Sequence, residues 1–309
     1  MFSIVFPGQG SQKIGMIKEF YEKYDLVKRL FKDADEILNV PITKIIFEGP
    51  ENKLNLTENT QPAIFLASYC IFEIIKREFG YDFKKFKYFA GHSLGEYSAL
   101  ACAGSISFED TLKILQKRGK FMQESVPSGE GAMLAVLGIN SKEVDKILDE
   151  NKDKYQCFIA NDNSKIQVVV SGLKKDINLL SDDLNYKKVK NLKLNVSAPF
   201  HCKYMKPASE KMASFINNLK MKELDRPIIS NVTAKETSSS KEIKSLLISQ
   251  IEKKVRWLES VEYMINNGVK NFVEIGPGKV LSGLIKRINK NVNVNSINNE
   301  EDIKLLIND

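Results

Sequence analysis

Gly91-His92-Ser93-Leu94-Gly95 decides how the rest of the chain is read. The run before it, Lys87-Tyr88-Phe89-Ala90, is short, apolar and of strand type. The run after it, Glu96-Tyr97-Ser98-Ala99-Leu100-Ala101-Cys102-Ala103, has helical character with small residues along one side. Strand, sharp turn and helix in that order is the setting of a nucleophile elbow, which holds a serine on a strained turn above the end of a sheet. Glycines at 91 and 95 would let neighbouring backbone come close on both sides of that turn. The same residues also fit a plain strand-to-helix turn with Ser93 as the helix cap.

A serine hydroxyl needs a base, and the chain contains two histidines, His92 and His201. On a tight elbow the ring of His92 would point away from the adjacent hydroxyl. His201, in Asn195-Val196-Ser197-Ala198-Pro199-Phe200-His201-Cys202, is therefore the candidate base. The alternative is a partly buried loop histidine with no chemical role. Serine before histidine is also the chain order of the hydrolases that use this elbow.

Composition sets the limits. A chain of 309 residues exceeds the usual single core, so one large domain with a smaller inserted or appended one is expected. With 43% hydrophobic residues and no apolar run long enough to cross a bilayer, the chain reads as soluble and globular, with no membrane partner. Cys70, Cys102, Cys157 and Cys202 are far apart and make no metal motif with either histidine, which fits a reduced, cytoplasmic protein without a metal. Met1 to Phe6 enters a strand with no basic segment before it, so no cleaved targeting peptide is expected. The net charge is +7, but the lysines are spread rather than clustered with aromatics. Nucleic acid is not the expected partner; a basic face that steers an acidic protein or a phosphorylated ligand fits better.

The chain opens with a strand at Ser3 to Phe6 and then Pro7-Gly8-Gln9-Gly10-Ser11-Gln12. Lys13 stands where a dinucleotide loop would have its third glycine, so no nucleotide cofactor is expected. Such a turn can instead aim a backbone N–H, that of Gln9, into a site beside Ser93. Residues 17 to 54 are helical in pattern. Thr60-Gln61-Pro62 is expected to start a long helix that Gly80 ends, and Ser107-Phe108-Glu109-Asp110 resembles a capping box opening a helix to about Glu124 that carries Arg118.

From Gly131 the rhythm changes: strand Ala132 to Leu137, helix Ser141 to Glu150, strands Cys157 to Ala160 and Ile166 to Ser171, helix Lys174 to Asp183, strand Tyr186 to Leu194. This βαββαβ order predicts a small ferredoxin-like domain. It falls between the elbow and His201, so the expected division is an insertion at 128–196 within a large α/β-hydrolase-like domain with a parallel sheet, 1–127 and 197–309. Ser93 and His201 would then face the cleft between the two, a preferred kind of ligand site. After the insertion come a helix from Tyr204 to Leu219, a strand at Ile228 to Val232, a helix from Lys241 to Ile251 containing Gln250, and a helix from Trp257 through Met264. Strand Phe272 to Ile275 precedes Gly276-Pro277-Gly278, and the remainder reads as helix and polar tail.

Phe6 to Gln12, Gly91 to Glu96, Arg118-Gly119, the Ser197 to His201 loop, Gln250 and Glu274-Ile275-Gly276-Pro277-Gly278, taken in order, resemble the malonyl-CoA:acyl-carrier-protein transacylase family over essentially the whole chain. The resemblance implies transfer of a malonyl group from malonyl-CoA to the phosphopantetheine thiol of acyl carrier protein, in fatty-acid biosynthesis, through an ester on Ser93. It implies His201 as the base, oriented by the backbone carbonyl of Gln250, and the N–H groups of Gln9 and Leu94 as the oxyanion hole. Arg118 would pair with the malonyl carboxylate; without the resemblance it would read as a surface helix arginine. Leu94 and Phe200 match the malonyl pattern of the related polyketide domains, and Asn161 and Gln167 match polar supports in the small domain. Neither metal nor redox cofactor is implied, and a monomer is expected. A serine esterase or thioesterase, a stand-alone acyltransferase serving polyketide synthesis, and an idle carrier-docking scaffold are the other functions open to the sequence. Arg118 would be unexplained in an esterase, and intact Ser93 and His201 speak against a scaffold.

Overall fold

Two sheets organise the chain in the computed structural model, which describes residues 1–196 and 198–308. Ser197 of the histidine loop and Asp309 lie outside the described residues. Strand β1 (Phe2–Phe6) is followed by α1 (Lys18–Lys23), α2 (Asp25–Leu38), α3 (Ile42–Glu48), α4 (Glu51–Leu54) and the long α5 (Thr57–Arg77). The elbow region is β2 (Phe86–Gly91) and α6 (Leu94–Cys102), and α7 (Phe108–Gln123) follows. Then come β3 (Gly131–Leu137), α8 (Ser141–Glu150), β4 (Cys157–Ser164), β5 (Gln167–Leu173), α9 (Lys174–Tyr186) and β6 (Asn191–Lys193). The rest is α10 (Lys206–Asn217), β7 (Ile228–Ile229), β8 (Glu236–Thr237), α11 (Ser240–Gln250), α12 (Trp257–Asn266), β9 (Asn271–Ile275), α13 (Val280–Ile288), β10 (Asn293–Ile297) and α14 (Glu300–Asn308).

The larger sheet has the order β10-β9-β1-β2-β7-β8. Neighbours are parallel except at β7–β8, so the sheet is mixed rather than purely parallel. Alternate residues of β1 serve two cores: Ile4 and Phe6 pack with α5 and α6, while Val5 packs with Tyr88, Trp257 and Val261 on the other face. Burial on both faces is what gives central strands such as β1 their continuous apolar sequence.

Several elements differ from the sequence expectation for identifiable reasons. Helix α5 begins at Thr57, three residues early, and Pro62 lies inside it. Pro62 is the sixth residue of α5, so the helix goes without the bond a residue-62 amide would make to the carbonyl of Glu58, and burial of the surrounding turns offsets that loss. Strand β7 stops at Ile229 because the chain turns back to pair with β8, with Ser230 N–H donating to Lys235 O at 3.0 Å. The polar tail contains β10, a half-buried edge strand whose asparagines mask its alternation. Ser107 does cap α7, accepting from the amide of Asp110, but the reciprocal capping box is at Asn140 and Glu143 of α8.

The smaller sheet is antiparallel throughout, with order β4-β5-β3-β6. Helices α8 and α9 cover one face through Val144, Leu148, Ile177, Leu180 and Leu184. The segment between α11 and α12 is tied to β4 of the smaller sheet by backbone: Val255 N–H donates to Ala160 O at 2.8 Å and Asp162 N–H to Val255 O at 2.9 Å.

The turn from β2 to α6 is tight because of its glycines. A β-carbon on Gly91 would lie 2.0 Å from the carbonyl group of Gly95, and one on Gly95 would lie 2.2 Å from the carbonyl oxygen of Phe6. Gly283, in α13, has open space at the same position. Gly95→Ala is therefore expected to destabilise the fold by about 3 kcal/mol or more, as overpacking against backbone does. Gly283→Ala should be neutral or stabilise by about 0.5–1 kcal/mol. Thermal unfolding of the two variants checks this; equal effects would mean that the elbow is loosely packed.

Candidate active site

Ser93 has φ 55° and ψ −110°, outside the regions that side chains ordinarily adopt, between the end of β2 and the start of α6. Three hydrogen bonds hold it there. Its own N–H donates to Asn231 Oδ1 at 2.7 Å, Asn231 Nδ2 donates to Gly91 O at 2.7 Å, and His92 N–H donates to Phe6 O at 3.1 Å. The early end of β7 is what frees Asn231 for this role. His92 turns away from the hydroxyl: its Nε2 meets Asn163 Oδ1 at 2.8 Å and its ring packs on Trp257.

His201, also at positive φ, brings Nε2 to 2.7 Å from Ser93 Oγ. Its Nδ1 lies 2.8 Å from the backbone carbonyl of Gln250. A carbonyl can only accept, so Nδ1 carries the hydrogen and Nε2 presents a lone pair to the serine hydroxyl. Burial, and then the nearby positive charge of Arg118, lower the pKa of His201 from 6.5 to about 3. The imidazole is therefore a neutral base at neutral pH.

Arg118 reaches the same point from α7. It is fully buried, with Nη1 donating to Gln61 Oε1 at 2.7 Å and Nη2 to Gln250 Oε1 at 2.8 Å and to Ser93 Oγ at 3.2 Å. Its guanidinium lies over the Tyr97 ring, and its Nε has no partner among the described residues. Arg77 and Arg256 pair with carboxylates, whereas Arg118 has no carboxylate partner among the described residues. Burial disfavours its charge. Behind it, Gln250 Nε2 donates to Ser93 O at 2.9 Å and to Glu96 Oε2 at 2.7 Å, and the N–H of Asn231 donates to that same oxygen at 3.2 Å. Burial raises the pKa of Glu96 from 4.5 to about 7, against the lowering effect of these hydrogen bonds and of Arg118.

Ser93, His201 and Arg118 line a cavity of about 380 Å³, together with Gln9, Leu94 and Phe200. The N–H of Leu94 is in the first turn of α6, where the helix itself supplies no acceptor and its dipole favours negative charge. Asn161 lines this cavity, but Gln167 does not; its Oε1 accepts from Arg287 Nη1 at 2.7 Å on the surface. Cys202 donates to Pro199 O and is packed away from the imidazole. Gln61, Asn231, Glu96 and the side chain of Gln250 belong to the site but were not assigned roles from sequence. Glu96 alone carried a local signal, being next to the elbow.

The acyl transferase domain model matches residues 3–304. The malonyl CoA-acyl carrier protein transacylase of Bacillus subtilis strain 168 is 43% identical over 309 residues, 99% of this chain and 96% of that protein. The chain belongs to the malonyl-CoA:acyl-carrier-protein transacylase family of acyl transferases. The Escherichia coli K12 transacylase is 38% identical, with 96% of each chain covered. Among solved structures, the acyl-carrier-protein S-malonyltransferase of Bartonella henselae superposes with TM-score 0.96 at 39% identity, covering 99% of this chain and 98% of that one. A malonyl-transacylase solved in complex with its type II polyketide acyl-carrier protein gives TM-score 0.95 at 37% identity, covering 100% and 99%. The transacylase family thus shares this α/β fold over the full chain length.

The state of His201 has a measurable sign. Unfolded, it titrates near 6.5; folded, near 3. Its contribution is therefore a loss of stability as the pH falls below the unfolded value, with no effect above it. Nitrogen NMR of the imidazole is expected to show neutral His201 with Nδ1 protonated and no titration between about pH 5 and pH 8. A midpoint near the ordinary value would mean that solvent or an acid reaches the ring.

Proposed function

We propose that the protein is a malonyl-CoA:acyl-carrier-protein S-malonyltransferase of fatty-acid synthesis, working through a malonyl ester on Ser93. The observation that carries this reading is Arg118. Its buried guanidinium lacks a carboxylate partner among the described residues and donates to the oxygen of the nucleophile itself at 3.2 Å. A planar fork of this kind matches a carboxylate bidentately, and it lies beside the oxygen that would carry the acyl group.

Ser93 Oγ attacks the thioester carbonyl while His201 Nε2 takes its proton. The resulting oxyanion faces the N–H groups of Gln9 and Leu94. The carbon–sulfur bond breaks, His201 returns the proton to the coenzyme A thiolate, and the malonyl group remains as an ester on Ser93. In the second half His201 takes the proton of the carrier's phosphopantetheine thiol, the sulfur attacks the ester, and Ser93 regains its proton. The two bulky thiols use the site in turn. No atom changes oxidation state, so the scheme calls for no redox cofactor. The orienting group of His201 is the carbonyl of Gln250 rather than a carboxylate, unlike the acid of a Ser-His-Asp esterase.

The strand order β4-β5-β3-β6 and the βαββαβ chain order support a ferredoxin-like insertion at 128–196 in an α/β-hydrolase-like domain of 1–127 and 197–309. The similar transacylase caught with its carrier supports an acyl carrier protein as partner. That same complex favours a polyketide carrier as a second reading. The four cysteines are free and buried, which supports a reducing, cytoplasmic setting, and we take the protein to act as a monomer.

Labelled malonyl-CoA is expected to leave a stable label on the wild type and none on Ser93→Ala; rapid free malonate instead would indicate a hydrolase. His201→Ala should slow acylation by about two to four orders of magnitude, the usual effect of a positioned base. Arg118→Ala should shift the malonyl-to-acetyl ratio by about 10-fold or more, as loss of a charge-assisted pair of about 1.5–3 kcal/mol requires. Arg118→Lys should fall between, since it keeps the charge without the fork. A uniform drop for both acyl groups would remove Arg118 from acyl recognition.

A further inference from the structure

Two buried ionisable groups face each other across one amide. Arg118 Nη2 donates to Gln250 Oε1 at 2.8 Å, and Gln250 Nε2 donates to Glu96 Oε2 at 2.7 Å. Glu96 is fully buried and its two oxygens are unequal. Oε2 receives Gln250 Nε2 and the N–H of Asn231, while Oε1 has no hydrogen-bond partner among the described residues. A buried carboxylate oxygen without donors is costly when charged, and it is where a proton would go.

We propose that Glu96 is the counter-charge of Arg118 in the acyl-free site, and that it takes up one proton from solvent, at Oε1, when a carboxylate-bearing acyl group pairs with Arg118. The inference rests on the malonyl reading given under Proposed function. Without the acyl group the buried site holds one cation and one anion. A second carboxylate would leave an excess negative charge in a medium that screens poorly, and two carboxylates in one site raise each other's pKa. Protonation of Glu96 restores neutrality. An acetyl group brings no charge and gives Glu96 no reason to change state.

The neighbours leave Glu96 as the group that responds. Arg118, on α7, is the charged side chain that acts on it from another element. Tyr97, next to it on α6, is pushed up to about 12 by burial and keeps its proton. The two histidines of the site are lowered by burial and stay neutral. Gln250 and Asn231, which meet Glu96 from other segments, do not titrate. The acid sits at about 7 in the acyl-free protein, within reach of either state. Since Gln250 also supplies the carbonyl that orients His201, Glu96 is a positioning residue, and its charge is felt at the base through one side chain.

The test is proton stoichiometry in weakly buffered solution with an indicator dye, while mass spectrometry independently counts the ester formed from malonyl-CoA or acetyl-CoA. Seryl ester formation with release of coenzyme A thiol is otherwise proton-neutral, and any ionisation of the released thiol is common to both donors and cancels in the difference. Near pH 8 the malonyl-minus-acetyl difference is expected to approach about one proton taken up per ester, falling toward zero near pH 6, where Glu96 already holds its proton. Glu96→Gln should abolish the difference at both pH values. If that variant does not fold, the pH dependence of the wild-type difference decides. Ester formation with no excess uptake, or excess uptake that persists in Glu96→Gln, overturns the proposal. Failure to form the malonyl ester at all would instead strike the malonyl reading on which it rests.

Discussion

Gly95 lies so close to strand β1 that a β-carbon there would be 2.2 Å from the carbonyl oxygen of Phe6, and the reactive geometry rests on that contact. It brings the first turn of α6 against the end of the sheet and leaves Ser93 no room for an ordinary backbone conformation. Strain of this kind persists only when the surroundings fix it from several sides. Here they do: Asn231 ties the Ser93 amide to the carbonyl of Gly91, and Phe6 accepts from His92. A side-chain hydroxyl with little conformational choice is then presented to a base and a cation at once.

The second constraint is electrostatic. Burying a guanidinium is unfavourable unless its donors find partners; Nη1 and Nη2 of Arg118 are served by neutral amide oxygens from Gln61 and Gln250, while Nε has none among the described residues. Neutral acceptors satisfy its hydrogen bonds directly, and the acid that balances its charge, Glu96, stands one amide further back, so the guanidinium itself faces the cavity. The same potential, added to burial, keeps His201 unprotonated. One side chain thus contributes to recognition of an anion and to the basicity of the catalytic imidazole, and these contributions are linked through the Gln250 amide.

Much of this was legible in the chain itself. The elbow could be read because its glycines, its strand and its helix are contiguous, and the two-histidine composition left His201 as the available base. The small unit could be read because its helices and strands change period sharply. What escaped were contacts between distant segments. Asn231 reaches Ser93 only because β7 ends after two residues, and that early end depends on pairing with β8. Gln61 becomes a partner of Arg118 through the packing of α5 on α7, and no local pattern distinguishes it from a capping residue. The strand β10 was hidden by asparagines at its exposed positions. Gln167, read as a support of the site, instead meets Arg287 at the surface.

The backbone seam at Val255 has a consequence for association. Strand β4 is the outermost strand of the smaller sheet on one side, and an outermost strand offers unpaired amides and carbonyls to any passing chain. Val255 occupies those groups at Ala160 and Asp162. The molecule thereby blocks intermolecular strand addition on that flank by its own covalent continuity, with a single residue of a neighbouring segment acting as a permanent terminator of the ladder.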